Sequence, residues 1–515
     1  MIKTVNIKVS PKTSANIVDI KLHISEKYQI PLFDIGELRI TKRSIDARTR
    51  NIIFNLDVTF AYKDCKELPK QEITFNKQDV SKSPEVHIIG FGPAGMFAAL
   101  TLIEKGFRPI IIERGKDVSN RKKDIARINQ NIAVDENSNY CFGEGGAGTF
   151  SDGKLYTRSK KKGNNTRVLE LLVFHGAKDS ILIDSHPHIG TDKLPKIMSN
   201  IRETIIECGG EVHFETRVKG FTTKDNKITQ LITSEEKIIE TNKVIIATGH
   251  SARDIYYGLH ESGIQIEAKP FAMGVRAEHP QELINTIQYH GIKNDYLPAA
   301  SYNLVKQVNE RGVYSFCMCP GGIIVPSSTA KNECVINGMS NSKRNSPFAN
   351  SGIAVEIKLE DMKDFEEYGP LAGLKLQEHL ESLAFKNGGE NQVAPAQAIA
   401  DFVAGRKSKQ LPKCSYIPGL VSSEMHKWLP KHFAKRLQIA FKEFDKKMPG
   451  YCSNKGIIVG VESRTSSPVR IPRNKETFQH ITIQNLYPCG EGSGYAGGIV
   501  SSAVDGMVCA NAVIN

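Results

Sequence analysis

The stretch Val86-His-Ile-Ile-Gly90-Phe-Gly92-Pro-Ala-Gly95, with an apolar run through Ala98, Leu100 and Ile103 and then Pro109-Ile-Ile-Ile-Glu113, decides the fold. It reads as a strand, a glycine turn, a helix and a second strand that ends in an acid. Gly90 permits a tight turn out of the strand, Gly92 lets backbone approach a pyrophosphate, and Gly95 allows the helix to pack closely on the strand. The helix N-terminus offers free N–H groups and the positive end of its dipole. Glu113, 23 residues after Gly90, is placed to accept hydrogen bonds from a ribose diol. Pro93 and Ala94 in the turn and Arg114 beside the acid are counted with the binding residues. The expected ligand is the ADP half of a dinucleotide.

Glycine spacing alone does not select this site. The same pattern recurs at Gly143, Gly145 and Gly148 and at Gly492, Gly494 and Gly497. No apolar strand leads into the first of these, and neither is followed by a second strand ending in an acid.

A chain of 515 residues exceeds the roughly 250 to 300 at which single cores stop growing, so several domains are expected. Thr4–Val9 reads as a strand, Ser14–Tyr28 as a helix, and Glu37–Ile45 and Ile52–Tyr62 as strands, which makes a small β-α-β-β module. A polar, lysine-rich stretch, Lys63–Pro84, follows as a linker. No run of about 18 apolar residues occurs, and Met1-Ile-Lys-Thr-Val-Asn6 lacks the apolar stretch of a secretory signal, so a cytoplasmic location is expected. The ten cysteines show neither knuckle spacing nor a disulfide framework, and His186 and His188 have no third ligand at recognisable spacing, so no metal is expected. The net charge of +12 includes a short run, Lys160–Lys162, near Arg158, which reads as a solvated loop. With no dedicated motif beside it, nucleic-acid binding is disfavoured.

Remote segments identify the dinucleotide. Gly210–Val218 leads toward Lys243-Val-Ile-Ile-Ala-Thr248-Gly249-His250, a buried strand running into a Thr-Gly turn. Asn485-Leu-Tyr-Pro-Cys-Gly490-Glu491-Gly492 precedes Gly494-Tyr-Ala-Gly497-Gly498-Ile499 and a helix of small residues. These resemble elements of flavoproteins of the glutathione-reductase type, in which the first strand brings backbone to the adenine, the Ala-Thr-Gly turn passes the ADP moiety, and the C-terminal strand ends in Gly and an acid at the ribityl-pyrophosphate. The acid here is Glu491 where aspartate is commonest. The resemblance implies FAD, held additionally by Val218, Thr248, Gly249, Gly490, Glu491, Gly498 and Ile499.

Nearly the whole chain resembles the uncharacterised bacterial FAD-dependent dehydrogenases, often labelled NAD(FAD)-utilising. The likeness is carried by Cys141–Leu155, Pro187–Asp192, Gly249–Asp254, Lys269–Arg276, Tyr314–Gly322, Glu462–Arg470 and, in the N-terminal module, Arg43-Ser-Ile-Asp-Ala-Arg48. The implied fold is α/β: a Rossmann-like FAD-binding domain of glutathione-reductase type (residues 83–269 and 456–515), an inserted α+β substrate domain (270–455) and the N-terminal module (1–80). Helix-like stretches are read at Glu356–Asn387 and Glu424–Lys447 in the insert.

Gly143–Lys154 packs five glycines around polar residues, a composition suited to backbone wrapping a flat ring and phosphates. Gly145, Gly146, Gly148, Thr149, Asp152 and Lys154 are therefore expected at the FAD. Arg464 and Arg470 belong either near the flavin or an anionic substrate, or in an ion-pair cluster with Glu462. Cys317 and Cys319 read either as buried structural thiols or as a reducible pair beside the flavin, although redox motifs usually space cysteines by two residues. No general base is identified. The expected activity is hydride transfer between flavin and a small molecule, with NAD(P)H as a possible transient donor; the alternative is a basic flavoprotein that binds RNA, or a protein partner through the N-terminal module, with FAD in a modification, relay or structural role.

Overall fold

A computed structural model describes residues 1–70, 72–157 and 163–514. The Lys160–Lys162 run lies outside the described residues.

The strand Glu85–Ile89 is buried at every position but the first, as a strand with helices on both faces must be. It lies at the centre of a five-stranded parallel sheet ordered Leu486–Pro488, Val244–Ile246, Glu85–Ile89, Arg108–Ile112, Glu211–His213. The sheet is thus completed by a strand about 400 residues downstream. The helix Pro93–Glu104 covers one face, and the C-terminal helix Ile499–Ile514 packs on it. A Cβ at Gly506 would stand 2.1 Å from the Ala94 carbonyl oxygen, so only glycine allows this approach.

A seven-stranded sheet builds the second core. Its order is Val305–Val308, Arg311–Cys319, Phe348–Ile357, Phe271–Pro280, Ile457–Glu462, Ala394–Ala398, Leu420–Ser422, antiparallel except for the last pair. The helices Ala372–Asn387 and Lys431–Lys447 pack against it through Leu376, Leu380, Leu437, Phe441 and Phe444. Two expectations change here. Ile457–Glu462, placed by sequence with the C-terminal FAD-binding part, pairs instead with Phe271–Pro280 and Ala394–Ala398, because all six of its residues are buried and only an interior position covers both faces. Glu356 and Ile357 end a strand, and the helical stretch after them is broken at Gly369-Pro370, where glycine has φ +54° and proline offers no N–H.

The N-terminal module is a three-stranded antiparallel sheet with Ile53–Tyr62 between Ile2–Val9 and Ile35–Asp46. The helix Ile17–Tyr28 begins at an Asn16 cap and buries Ile20 and Ile24 on the sheet. Arg43 fastens the module to the rest of the chain: its side chain donates to Asp184 at 2.7 Å, and its backbone N–H and carbonyl bond Ile183 and Ser185. Among its described residues the stretch read as a linker has no helix or strand, yet Phe75 and Val80 are buried in the core beside the parallel sheet.

Candidate active site

Where the parallel sheet meets the seven-stranded one, a cavity of about 360 Å³ opens over Gly90. The turn there is forced by contact: Gly90 has φ +101°, and a Cβ would stand 2.5 Å from the Ala247 carbonyl oxygen. Gly90, Gly92, Pro93 and Ala94 line the cavity. Gly95 does not; a Cβ on it would meet the Gly90 carbonyl oxygen at 2.0 Å, so it serves the helix–strand contact. Gly92 occupies the N-cap without a side-chain cap, which leaves the first-turn N–H groups facing the cavity end of the helix.

Glu113 and Arg114 also line the cavity, but both are engaged within the protein. The Glu113 carboxylate accepts from Gly115 N–H and Gly143 N–H at 2.9 Å and from Phe91 N–H at 2.8 Å. It therefore anchors the glycine turn and the second glycine-rich loop. Arg114 donates twice to Asp254, at 3.0 and 2.9 Å, with its guanidinium over the Phe142 ring.

From that second loop Gly146, Gly148, Asp152 and Lys154 reach the cavity, whereas Gly145 and Thr149 lie behind it. Thr149 is fully buried and donates to the Glu144 carbonyl at 2.9 Å. Asp152 is paired with Arg344 at 2.6 Å, and Lys154 donates to the Met318 carbonyl. Val218, Thr248 and Gly249 form a further wall, and Glu491, Gly498 and Ile499 close the C-terminal side. Gly490 stays out, its N–H bound to Asp505 at 2.8 Å. A Cβ at Gly497 or Gly498 would meet nothing within 4 Å, so backbone is bare there at the start of the C-terminal helix.

The far end is polar. Arg464 lines it and donates to Thr329 at 2.7 Å, Glu333 at 2.6 Å and Glu381 at 2.9 Å; Arg253 donates to Glu333 and Glu381 at 3.1 and 2.7 Å. The ion-pair cluster thus exists with other partners: Glu462 binds Arg276 at 2.6 Å, and Arg470, outside the cavity lining, extends its guanidinium toward the Tyr495 ring. Burial alone would raise the Glu381 pKa, but the two arginines bring it down to about 2. His250, also on the wall, is lowered to about 3 by burial and then by Arg464 and Arg253, which keeps it neutral. Glu491 lies 3.9 Å from it and is raised to about 7 by burial and by the charge of Cys317.

Cys317 reaches the cavity and Cys319 does not. All ten cysteines are free. His186 lies against Tyr156 and His188 against the Ser342 carbonyl, so the two turn to different partners. Buried Cys489, Asp505 and Cys509 approach metal-ligand spacing, but the Arg473 guanidinium sits among them, donating to both Asp505 oxygens and to the Cys509 sulfur. Sequence reasoning missed Arg253, Arg276, Glu333 and Glu381. The two arginines stand in quoted motifs without an assigned role, and the two acids carry no local signal.

Residues 270–465 match the family model "FAD-dependent protein, C-terminal domain-like", and residues 1–61 match "Domain of unknown function (DUF8436)". An "Uncharacterized protein" of Clostridium beijerinckii is 41% identical over 529 residues, covering 99% of this chain and 98% of its own. The chain belongs to that protein's family. Among solved structures, a geranylgeranyl bacteriochlorophyll reductase-like protein of Thermoplasma acidophilum covers 83% of this chain and 77% of its own at 13% identity and a TM-score of 0.34. The L-amino acid deaminase of Proteus vulgaris covers 87% and 96% at 11% identity and a TM-score of 0.36. Among the described residues no helix of this family member is long and apolar enough to cross a membrane.

Proposed function

We propose that the chain is an FAD-dependent oxidoreductase that moves a hydride between the flavin and a small molecule. One observation carries the reading: the Gly90 turn, the Thr248-Gly249 turn and the Gly497–Ile499 helix start, hundreds of residues apart, line one cavity. The fit to FAD rests on bare backbone. Gly92, Gly497 and Gly498 leave room that side chains would fill, beside two helix N-termini suited to phosphate and to a negatively charged ring edge. The Gly90–Ala94 turn would hold the pyrophosphate, Glu113 the ribose, Val218 and Thr248 the adenosine side, and Gly146, Gly148 and Gly498 the flavin side. FAD, when bound, supplies a two-electron acceptor or donor.

The chain's own residues supply orientation and proton handling. Glu491, with a pKa near 7, can hold or release a proton at its carboxyl, while neutral His250 beside it keeps a second charge out of the site. The charge of Arg464 is balanced by Glu333 and Glu381, so it serves as a fixed wall more than as an anion receptor. Segments from 270–455 reach the polar end, where substrate contacts are assigned.

Denaturing the purified protein and analysing the released small molecules by absorbance and mass spectrometry tests the reading. Released FAD is expected, and anaerobic bleaching by NADH or NADPH would identify the donor. Well-folded protein that releases no flavin and takes none up on reconstitution overturns it.

A further inference from the structure

The strand Arg311–Cys319 carries a bulge that its hydrophobic pattern does not announce. Phe316 pairs with Gly352 and Cys319 with Asn350, so Cys317 and Met318 together oppose the single residue Ser351. Cys317 takes φ +47° at this point. The extra residue turns the Cys317 side chain to the cavity wall while Cys319 remains buried directly behind it, its thiol donating to the Cys317 carbonyl at 3.3 Å.

Two cations hold the bulge at consecutive carbonyls. Lys154 donates to the Met318 carbonyl, and the fully buried Arg276 guanidinium donates to the Cys317 carbonyl at 2.8 Å and lies 3.7 Å from the Cys319 sulfur. The acids nearby are largely committed: Glu462 to Arg276 and Asp152 to Arg344, which leaves Glu491 as the other acid facing Cys317. The neighbouring Cys319 thiol lowers the Cys317 pKa well below the usual thiol value; burial opposes this, and Lys154 and Arg276 add to it. The same contact and burial push Cys319 up. One thiol is thus set as nucleophile and the other as its protonated neighbour.

We propose that Cys317 and Cys319 form a dithiol that reduces a small-molecule disulfide admitted to the cavity. The Cys317 thiolate attacks one sulfur of the disulfide; a Cys317–substrate bond forms, the substrate S–S bond breaks, and the first product leaves as a thiolate. Cys319 then attacks the Cys317 sulfur, releases the second product thiolate and closes a Cys317–Cys319 disulfide. Two electrons pass from the dithiol to the substrate, and the two cysteine protons end on the two product thiols. The exchange uses the dithiol's own electrons and does not depend on the flavin reading.

The test uses reduced full-length protein, freed of reductant and mixed with oxidised glutathione, followed by intact-mass and peptide mapping. Wild type is expected to yield a Cys317–Cys319 disulfide without retained glutathione. Cys319→Ser traps glutathione on Cys317, and Cys317→Ser does neither. Between about pH 8 and 6 the rate of disulfide formation in the wild type, where Cys319 is in place, falls less than about threefold, whereas an ordinary thiol slows roughly tenfold per unit. Cys141, also on the cavity wall, has its sulfur against Ser327 at 3.6 Å and serves as the internal control. The absence of any Cys317 adduct in Cys319→Ser, glutathione mapping to Cys141 instead, or an ordinary thiol pH dependence at Cys317 would overturn the proposal. Flavin content is read separately on the same sample, so loss of flavin and loss of exchange are distinguishable.

Discussion

Replacing Glu381 with glutamine keeps its shape and removes its charge, which leaves Arg253 and Arg464 facing one another with only Glu333 between them. Glu381 is fully buried and accepts from both guanidiniums and from Ser463. A carboxyl brought from 4.5 to about 2 corresponds to roughly 3 kcal/mol of stability at neutral pH. That agrees with the about 3–5 kcal/mol expected when one partner of a buried pair is removed. At about 2 cal/mol/K of unfolding entropy per residue, the melting temperature falls by roughly 3 °C if the chain unfolds as one unit. Because the folded pKa is depressed, the contribution is present above 4.5 and is lost as pH falls toward about 2. Thermal and guanidinium unfolding of wild type and Glu381→Gln should therefore show a constant gap above about pH 5.5 that closes on acidification. Equal stability at neutral pH, or a gap that persists undiminished at about pH 3, would refute the reasoning.

Gly90→Ala, strained at φ +101° and 2.5 Å from the Ala247 oxygen, should lower both soluble yield and flavin content, whereas Gly92→Ala, whose Cβ meets only the Gly146 Cα at 3.8 Å, should fold normally and lose flavin selectively on dialysis. Glu491→Gln should remove an inflection near pH 7 from the rate profile; since the folded pKa is raised, the wild-type carboxylate costs stability as pH rises from 4.5 through about 7, and the variant should gain on wild type over that window in unfolding measurements. Deleting residues 1–80 removes Phe75 and Val80 from the core beside the parallel sheet, so it should destabilise the protein more than deleting residues 1–62, as read by melting temperature.

The Gly90 turn was legible because every feature lies within one strand-turn-helix-strand unit of about 30 residues, where spacing maps directly onto geometry. The C-terminal return of Leu486–Pro488 to the same sheet was legible through its Gly-acid ending. The seven-stranded sheet was not: its strands are spread over some 190 residues, from Phe271 to Glu462, and pairing between distant strands leaves no periodic trace. The Arg253, Glu333, Glu381 and Arg464 cluster was hidden for the same reason, since its members meet only through tertiary packing. The redirection of Cys317 depends on a one-residue slip in pairing between Arg311–Cys319 and Phe348–Ile357. A pattern of alternation cannot show that slip, because it reports one chain and the slip belongs to two.

Three backbone donors from separate loops converge on the Glu113 carboxylate. If the proposed dinucleotide docks there, it meets walls already set in place by the protein's own bonds, so little ordering entropy remains to be lost on docking. Association should then be quick and limited by encounter, and tightness should reside in how slowly the guest escapes.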